Sequence, residues 1–168
     1  MANLYIITGP AGVGKSTVSR KLAEKLSKSA LIEGDEIYHQ IVGSYSPAWK
    51  DGNHLDIFWK ICINNIKLYL ESDYDVVFNY IISPETLDFI KESFADYAVK
   101  FVVLMVDEKT LLFRDSLRNE DCQMKERCVA LLNSFKNKNY NINNILDTTS
   151  MSVEETVSVI ETEERFVL

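Results

Sequence analysis

The chain has 168 residues, 46% of them hydrophobic and 26% charged, which suits one domain with its own core and leaves little length for a second. A formal net charge of −7 is the wrong sign for a general nucleic-acid binder. The longest wholly apolar run, Phe101 to Val106, is far short of the ~20 residues that span a bilayer. Three cysteines (Cys62, Cys122 and Cys128) form no C-x-x-C pair, and His39 and His54 stand in no metal-ligand spacing. Idle thiols in a reducing compartment and no protein-held zinc are expected. No charged segment leads into an apolar one at the start, so the expected location is the cytoplasm, with no membrane partner and no nucleic-acid partner.

In chain order, Asn3 to Thr8 is a buried strand by its β-branched and aromatic content, ended by Gly9. Then comes "GPAGVGKST": Gly9, Pro10, Ala11, Gly12, Val13, Gly14, Lys15, Ser16, Thr17. The pattern is G-x-x-x-x-G-K-[ST], the Walker A loop, whose bare backbone N–H groups wrap a polyphosphate at a helix start. Here it has its full context, a strand before and a helix after. The expected roles are Lys15 on the β/γ-phosphates, Ser16 as magnesium ligand and Thr17 toward the α-phosphate.

From Lys15 to about Ser27, Val18, Leu22 and Leu26 recur every four residues with charges opposite, an amphipathic helix. Ala30 to Asp35 is a short second strand breaking at Gly34. The segment "YHQIVGSYSPAW" precedes a long helix from about His54 to Glu71, whose apolar stripe is wide enough to be covered on two sides. "YDVVFNYII" (Tyr74 to Ile82) is the third strand, and Pro84 opens the next helix. "KFVVLMV" is the fourth strand, followed by helical patterns from Glu108 to about Asn119 and from Met124 to Lys138. "NILDTTS" is a weak fifth strand, and Ser152 with Glu155 caps a last helix. Alternating strands and helices, several strands apolar throughout, predict an α/β fold with a parallel sheet covered on both faces.

A phosphate loop within the first twenty residues, a total under two hundred and five strand-like runs resemble the small P-loop kinases: gluconate kinase, shikimate kinase, chloramphenicol phosphotransferase and the nucleoside monophosphate kinases. The resemblance covers essentially the whole chain. It implies a three-layer, single-domain P-loop NTPase fold with a five-stranded parallel sheet in order 2-3-1-4-5, a helical lid over approximately 109–127, and ATP with Mg²⁺ as cofactors. It also makes Asp35, at the carboxyl edge where ligands lie, a carboxylate facing an acceptor hydroxyl. A helix N-cap is the other reading of Asp35. Tyr38, Tyr45 and Trp49 lie where these kinases bind the acceptor, and either wall a pocket or cover a loop; Phe58 and Trp59 fit the pocket or the core. Glu33 is a candidate for reaching the magnesium through water. Arg114, Arg118 and Arg127 crowd behind strand four and resemble the lid arginines that close over the transferring phosphate and the adenine. Surface pairs among Arg114, Asp115, Arg118 and Asp121 are the alternative.

The chain also departs from these relatives. Asn79 ends strand three where many P-loop enzymes carry a carboxylate. Phe58-Trp59 replaces the Phe-Arg pair of shikimate kinases. No arginine lies between Lys21 and Phe113, which disfavours an acceptor bearing its own phosphate. The expected function is an ATP- and Mg²⁺-dependent kinase for a hydroxyl on a small molecule, a polyol or sugar acid first and an antibiotic second. A nucleotide-binding switch without an acceptor is the alternative from another class, with a nucleoside, nucleotide or shikimate kinase ranked behind it. The oligomeric state, monomer or weak dimer, stays open.

Overall fold

The computed structural model describes residues 2–120 and 123–168. The readings that fall on Asp121 and Cys122, and that stretch of the 109–127 segment, lie outside the described residues. Five strands, β1 (Asn3–Thr8), β2 (Ser29–Glu33), β3 (Asp75–Asn79), β4 (Ala98–Met105) and β5 (Ile145–Asp147), form one parallel sheet in the order β2-β3-β1-β4-β5, as the resemblance implied. β1 is central, with Ile6 beside Phe78 on one side and Phe101 on the other.

Alternate residues of each strand feed opposite faces. Leu4, Ile6, Val76, Phe78, Phe101 and Val103 pack under α3 (Leu55–Glu71) and α4 (Pro84–Ser93). Tyr5, Ile7, Val77, Val102 and Leu104 pack under α1 (Lys15–Lys25) and α7 (Val153–Thr162). On α3, Phe58, Cys62, Ile66 and Leu70 are the buried positions, a four-residue spacing that keeps one stripe on the sheet. Ile57 and Leu68 are exposed, so the helix is covered on one side rather than two. Pro84 opens α4 behind Ser83, whose hydroxyl accepts from the Thr86 N–H, and Ser152 with Glu155 completes a reciprocal capping box on α7.

Three boundaries differ from expectation, each for a physical reason. β3 ends at Asn79 rather than Ile82, because the Ile82 N–H donates to the Thr8 hydroxyl at 2.9 Å and so turns away from the ladder. The helix after β2, expected over "EIYHQIV" (Glu36 to Val42) behind Asp35, is α2, only Gly34–Tyr38, ending before the exposed stretch from Val42 to Tyr45. The pair behind β4 is α5 (Glu108–Ser116) and α6 (Glu126–Lys136). Their connection folds back because the Asp115 carboxylate accepts from the backbone N–H groups of Met124 and Lys125 at 2.9 and 2.8 Å. Among the described residues, no helix is long and apolar enough to cross a membrane.

Candidate active site

Everything the sequence marked as chemistry lies at the carboxyl edge of the sheet. The phosphate loop leaves β1 through Gly9, where an added Cβ would sit 2.5 Å from the Leu104 carbonyl oxygen of β4. The loop therefore presses on the neighbouring strand so closely that only glycine fits. Gly14 stands at the N-cap of α1 with φ 106°, and no side chain caps that helix. Three positions open the helix, Lys15, Ser16 and Thr17, before the first backbone bond from Val18 N–H to the Gly14 carbonyl. Their N–H groups are the unsatisfied donors of a helix start, and they carry its partial positive charge. This is a fitting seat for a polyphosphate.

Lys15 folds back along the loop, its ammonium donating to the carbonyls of Gly9 at 3.0 Å and Pro10 at 3.1 Å. Burial pulls its pKa down to about 8; the Asp35 carboxylate works against that and the Arg118 guanidinium with it. Lys15, Asp35 and Arg118 thus share one electrostatic neighbourhood although they come from three different elements.

A single cavity of about 960 Å³ takes in the loop from Ala11 to Thr17, together with Asp35, Tyr38, Tyr45, Trp49, Arg114 and Arg118. Gly9 and Pro10 do not line it and instead support Lys15 from behind. Asp35 is exposed in the first turn of α2, while Glu33 occupies the N-cap position and no side chain caps the helix. The cap reading of Asp35 is therefore not what the helix uses. Glu33 instead accepts from the Asn79 amide at 3.4 Å and lies 4.0 Å from Arg20. The carboxylate missing from the end of β3 has a counterpart one strand over, joined to the residue that replaced it. Ser16 and Glu33 offer hard oxygen donors of the kind Mg²⁺ accepts while keeping several waters.

The arginines divide the labour. Arg114 donates to the Val13 carbonyl at 2.7 Å and to the Thr148 hydroxyl and carbonyl at 3.2 and 2.9 Å. Burial lowers its pKa, partly offset by Asp107 and Asp147. It fastens the phosphate loop to the turn after β5. Arg118 pairs with buried Asp115 at 3.4 Å and keeps nearly half its side chain in solvent. Arg127 lies 4.0 Å over the Trp49 ring, the contact by which α6 reaches the segment between α2 and α3.

The aromatic segment is both wall and packing. Trp49 and Tyr45 are exposed at 65% and 44%. Tyr38 is buried; its hydroxyl donates to the Ser46 carbonyl at 2.7 Å and accepts from the His54 N–H at 3.2 Å, pinning the segment to the start of α3. Two contributors escaped the sequence reading. Asp115 is 2% exposed and anchors the α5–α6 connection, whereas a charge-rich stretch reads as solvated. Tyr80, just past β3, packs against Phe58 at 4.6 Å and edge-on to Trp59 at 5.7 Å. Its ring lies on Gly34, where an added Cβ would come within 2.5 Å of it. Burial and then the Asp35 charge push its phenol pKa up, and both residues line the cavity. The signal was a glycine wedged between two carboxylates in Glu33-Gly34-Asp35, which asks what presses on it.

Residues 6–130 match the model of the AAA domain family, well over half of the chain. No curated protein sequence matches it. Among solved structures, it is similar to the tunicamycin resistance protein of Deinococcus radiodurans at 17% identity, covering 95% of this chain and 94% of that one with a TM-score of 0.72. It is similar to a sugar kinase from a Janibacter species at 12% identity, covering 94% and 91% with a TM-score of 0.71. A gluconokinase from Sinorhizobium meliloti shares 19% identity over 95% and 91%, with a TM-score of 0.64. At such identities the likeness is one of fold. The sheet order, the phosphate loop at its edge and the family match from β1 into α6 agree: the chain belongs to the AAA domain family and has the fold of the small P-loop kinases.

Proposed function

We propose that this protein is an ATP- and Mg²⁺-dependent phosphotransferase acting on a hydroxyl of a small molecule in the cytoplasm. The observation that carries the reading is the shared cavity: the uncapped start of α1 and the Asp35 carboxylate open into one space. A donor phosphate seated on the loop and an acceptor hydroxyl at Asp35 would meet without crossing solvent. The likeness to a sugar kinase, a gluconokinase and an antibiotic-resistance protein supports a small-molecule acceptor and leaves polyols, sugar acids and antibiotic hydroxyls as its candidate classes.

In this reading the acceptor oxygen forms a bond to the γ-phosphorus as the bond to the β–γ bridging oxygen breaks, ADP leaves, and the hydroxyl proton passes to Asp35. Bound Mg²⁺ would supply neutralisation of the phosphates' negative charge. Ser16 and, through water, Glu33 are the groups that would hold it. Lys15 leaves its two carbonyl partners for the β/γ-phosphates. Thr17 turns toward the α-phosphate. Arg118, less confined than Arg114, reaches the transferring group from the lid over 109–127, and Arg114 keeps the loop in shape for it.

Asp35→Asn tests this. Asn nearly keeps the shape of Asp but cannot take a proton. The variant should bind ATP·Mg²⁺ normally and melt at an unchanged temperature, yet lose about 10²–10⁴-fold in acceptor-dependent ADP release. Full transfer by the variant to an identified acceptor would remove Asp35 from the chemistry. Background ADP release by the unmodified protein across polyols, sugar acids, nucleosides and antibiotics would favour a nucleotide switch.

A further inference from the structure

At the end of the cavity away from the phosphate loop, the lining changes from backbone to rings. Tyr80 forms one side, held on Gly34 and against Phe58. Trp59 stands edge-on to it, with planes at 83°. Tyr45 meets Tyr38 at 78°, and Trp49 reaches out with its ring mostly uncovered. Beside the rings the lining is mostly apolar, from Ala48, Leu55, Ile81 and Leu131, with His39 and Thr86 as polar side chains.

A polyol or a sugar acid would find little here to bind. Each of its hydroxyls loses water on entry and needs a partner in exchange. The Tyr38 hydroxyl is already committed to Ser46 and His54. An acceptor carboxylate would need a cation to itself. Arg114 is bonded to the loop and Thr148, Lys15 and Arg118 serve the phosphates in the proposed transfer, and Arg127 lies over the exposed Trp49 ring. The nearest charge at this end, Asp35, repels an anion. What the rings offer is a set of aromatic faces and edges with one carboxylate at the rim.

We propose that the acceptor is a neutral alcohol whose hydroxyl is borne on a planar or apolar ring, with Trp49, Trp59 and Tyr80 as the specificity-determining residues. The ring stacks among these side chains, and its hydroxyl projects past Tyr80 to Asp35. This rests on the kinase reading for the hydroxyl's fate, while the ring-binding surface is measurable by itself. A nucleoside and an aryl alcohol share the required chemistry, and the two are tested separately.

The chain has only two tryptophans, and both line this cavity. Tryptophan emission therefore reports on the acceptor site with no turnover. The intact protein is titrated with uridine, phenylethanol, gluconate and glycerol, and calorimetry with a non-hydrolysable ATP analogue and Mg²⁺ is run alongside. At least one ring alcohol should change the emission and bind at least about tenfold more tightly than either polyol. Trp49→Ala removes an exposed ring and leaves Trp59 as reporter. It should weaken the ring alcohol by up to about tenfold, the scale of one aromatic contact, with ATP-analogue affinity unchanged. Tighter binding of gluconate or glycerol than of both ring alcohols would overturn the proposal and leave the kinase reading standing. An unchanged ring-alcohol affinity in both Trp49→Ala and Tyr80→Leu, with thermal melting showing both folded, would also overturn it. Ring-alcohol binding without any binding of the ATP analogue would instead sink the kinase reading and keep the ring site.

Discussion

At the phosphate-loop end of the cavity the lining is backbone, shaped by Gly12 at φ 84° and Gly14 at φ 106° and by the close approach of Gly9 to β4. At the other end the lining is side chain, rings that hold one another edge-on with Tyr80 and Trp59 at the centre. The first end is specified within nine consecutive residues. The second is assembled from α2, the segment after it, α3 and the turn after β3, with Arg127 of α6 closing over Trp49. A backbone seat suits a ligand whose recognised part never varies, such as a polyphosphate. A side-chain seat changes with a single substitution, and in the proposed function acceptor choice belongs to it.

That contrast is sharpest at Lys15. Lys15→Ala removes the loop's one ammonium and no core contact, so it should cost about a hundredfold in nucleotide affinity while acceptor-site emission changes persist. Equal ATP affinity by calorimetry would break the assignment of the first end. Arg114→Ala should come next, because it strips three hydrogen bonds that join Val13 to Thr148. A loss of about 2–3 kcal/mol in stability is expected, read by denaturant unfolding, along with weaker ATP binding. If only turnover fell, Arg114 would be a transition-state group and not a brace.

The glycine under Tyr80 is the counterpart at the other end. Gly34→Ala forces a methyl group to within 2.5 Å of the Tyr80 ring and should cost about 1–3 kcal/mol. Tyr80→Ala in the same background should recover part of that loss, since the double variant removes the ring atoms from the clash and leaves only the Cβ at 2.9 Å. Absence of any recovery would mean that the ring does not rest on Gly34. The smallest effect belongs to Arg127→Ala. The residue is solvent-exposed and stacks on an exposed ring, so about 0.5–1 kcal/mol is at stake. It should register as faster exchange of backbone amides around Trp49, with the melting temperature hardly moved.

The two ends were unequally legible in the sequence for the same reason. The loop's function is its own local geometry, so Gly14, Lys15 and Ser16 announce it, and the strand–helix alternation placed it at the right edge of the right sheet. Tyr80 acts through Gly34, 46 positions earlier, and Arg127 through Trp49, 78 positions earlier; no periodicity encodes either contact. Asp115 sits in a run that reads as solvated, yet its carboxylate is consumed by two backbone N–H groups nine and ten residues on. The overrun of β3 past Asn79 has a related origin: "NYII" is as apolar as a strand, and only the Thr8 hydroxyl, 74 residues away, draws Ile82 out of the sheet.

The brace formed by Arg114 bears on the entropy and speed of binding. A loop that must be ordered by its ligand loses conformational entropy at the moment of binding, which subtracts from affinity and slows capture. Here Val13 and Thr148 are already fastened together when the chain folds. Nucleotide capture should therefore show a small entropic penalty and an association rate limited by encounter.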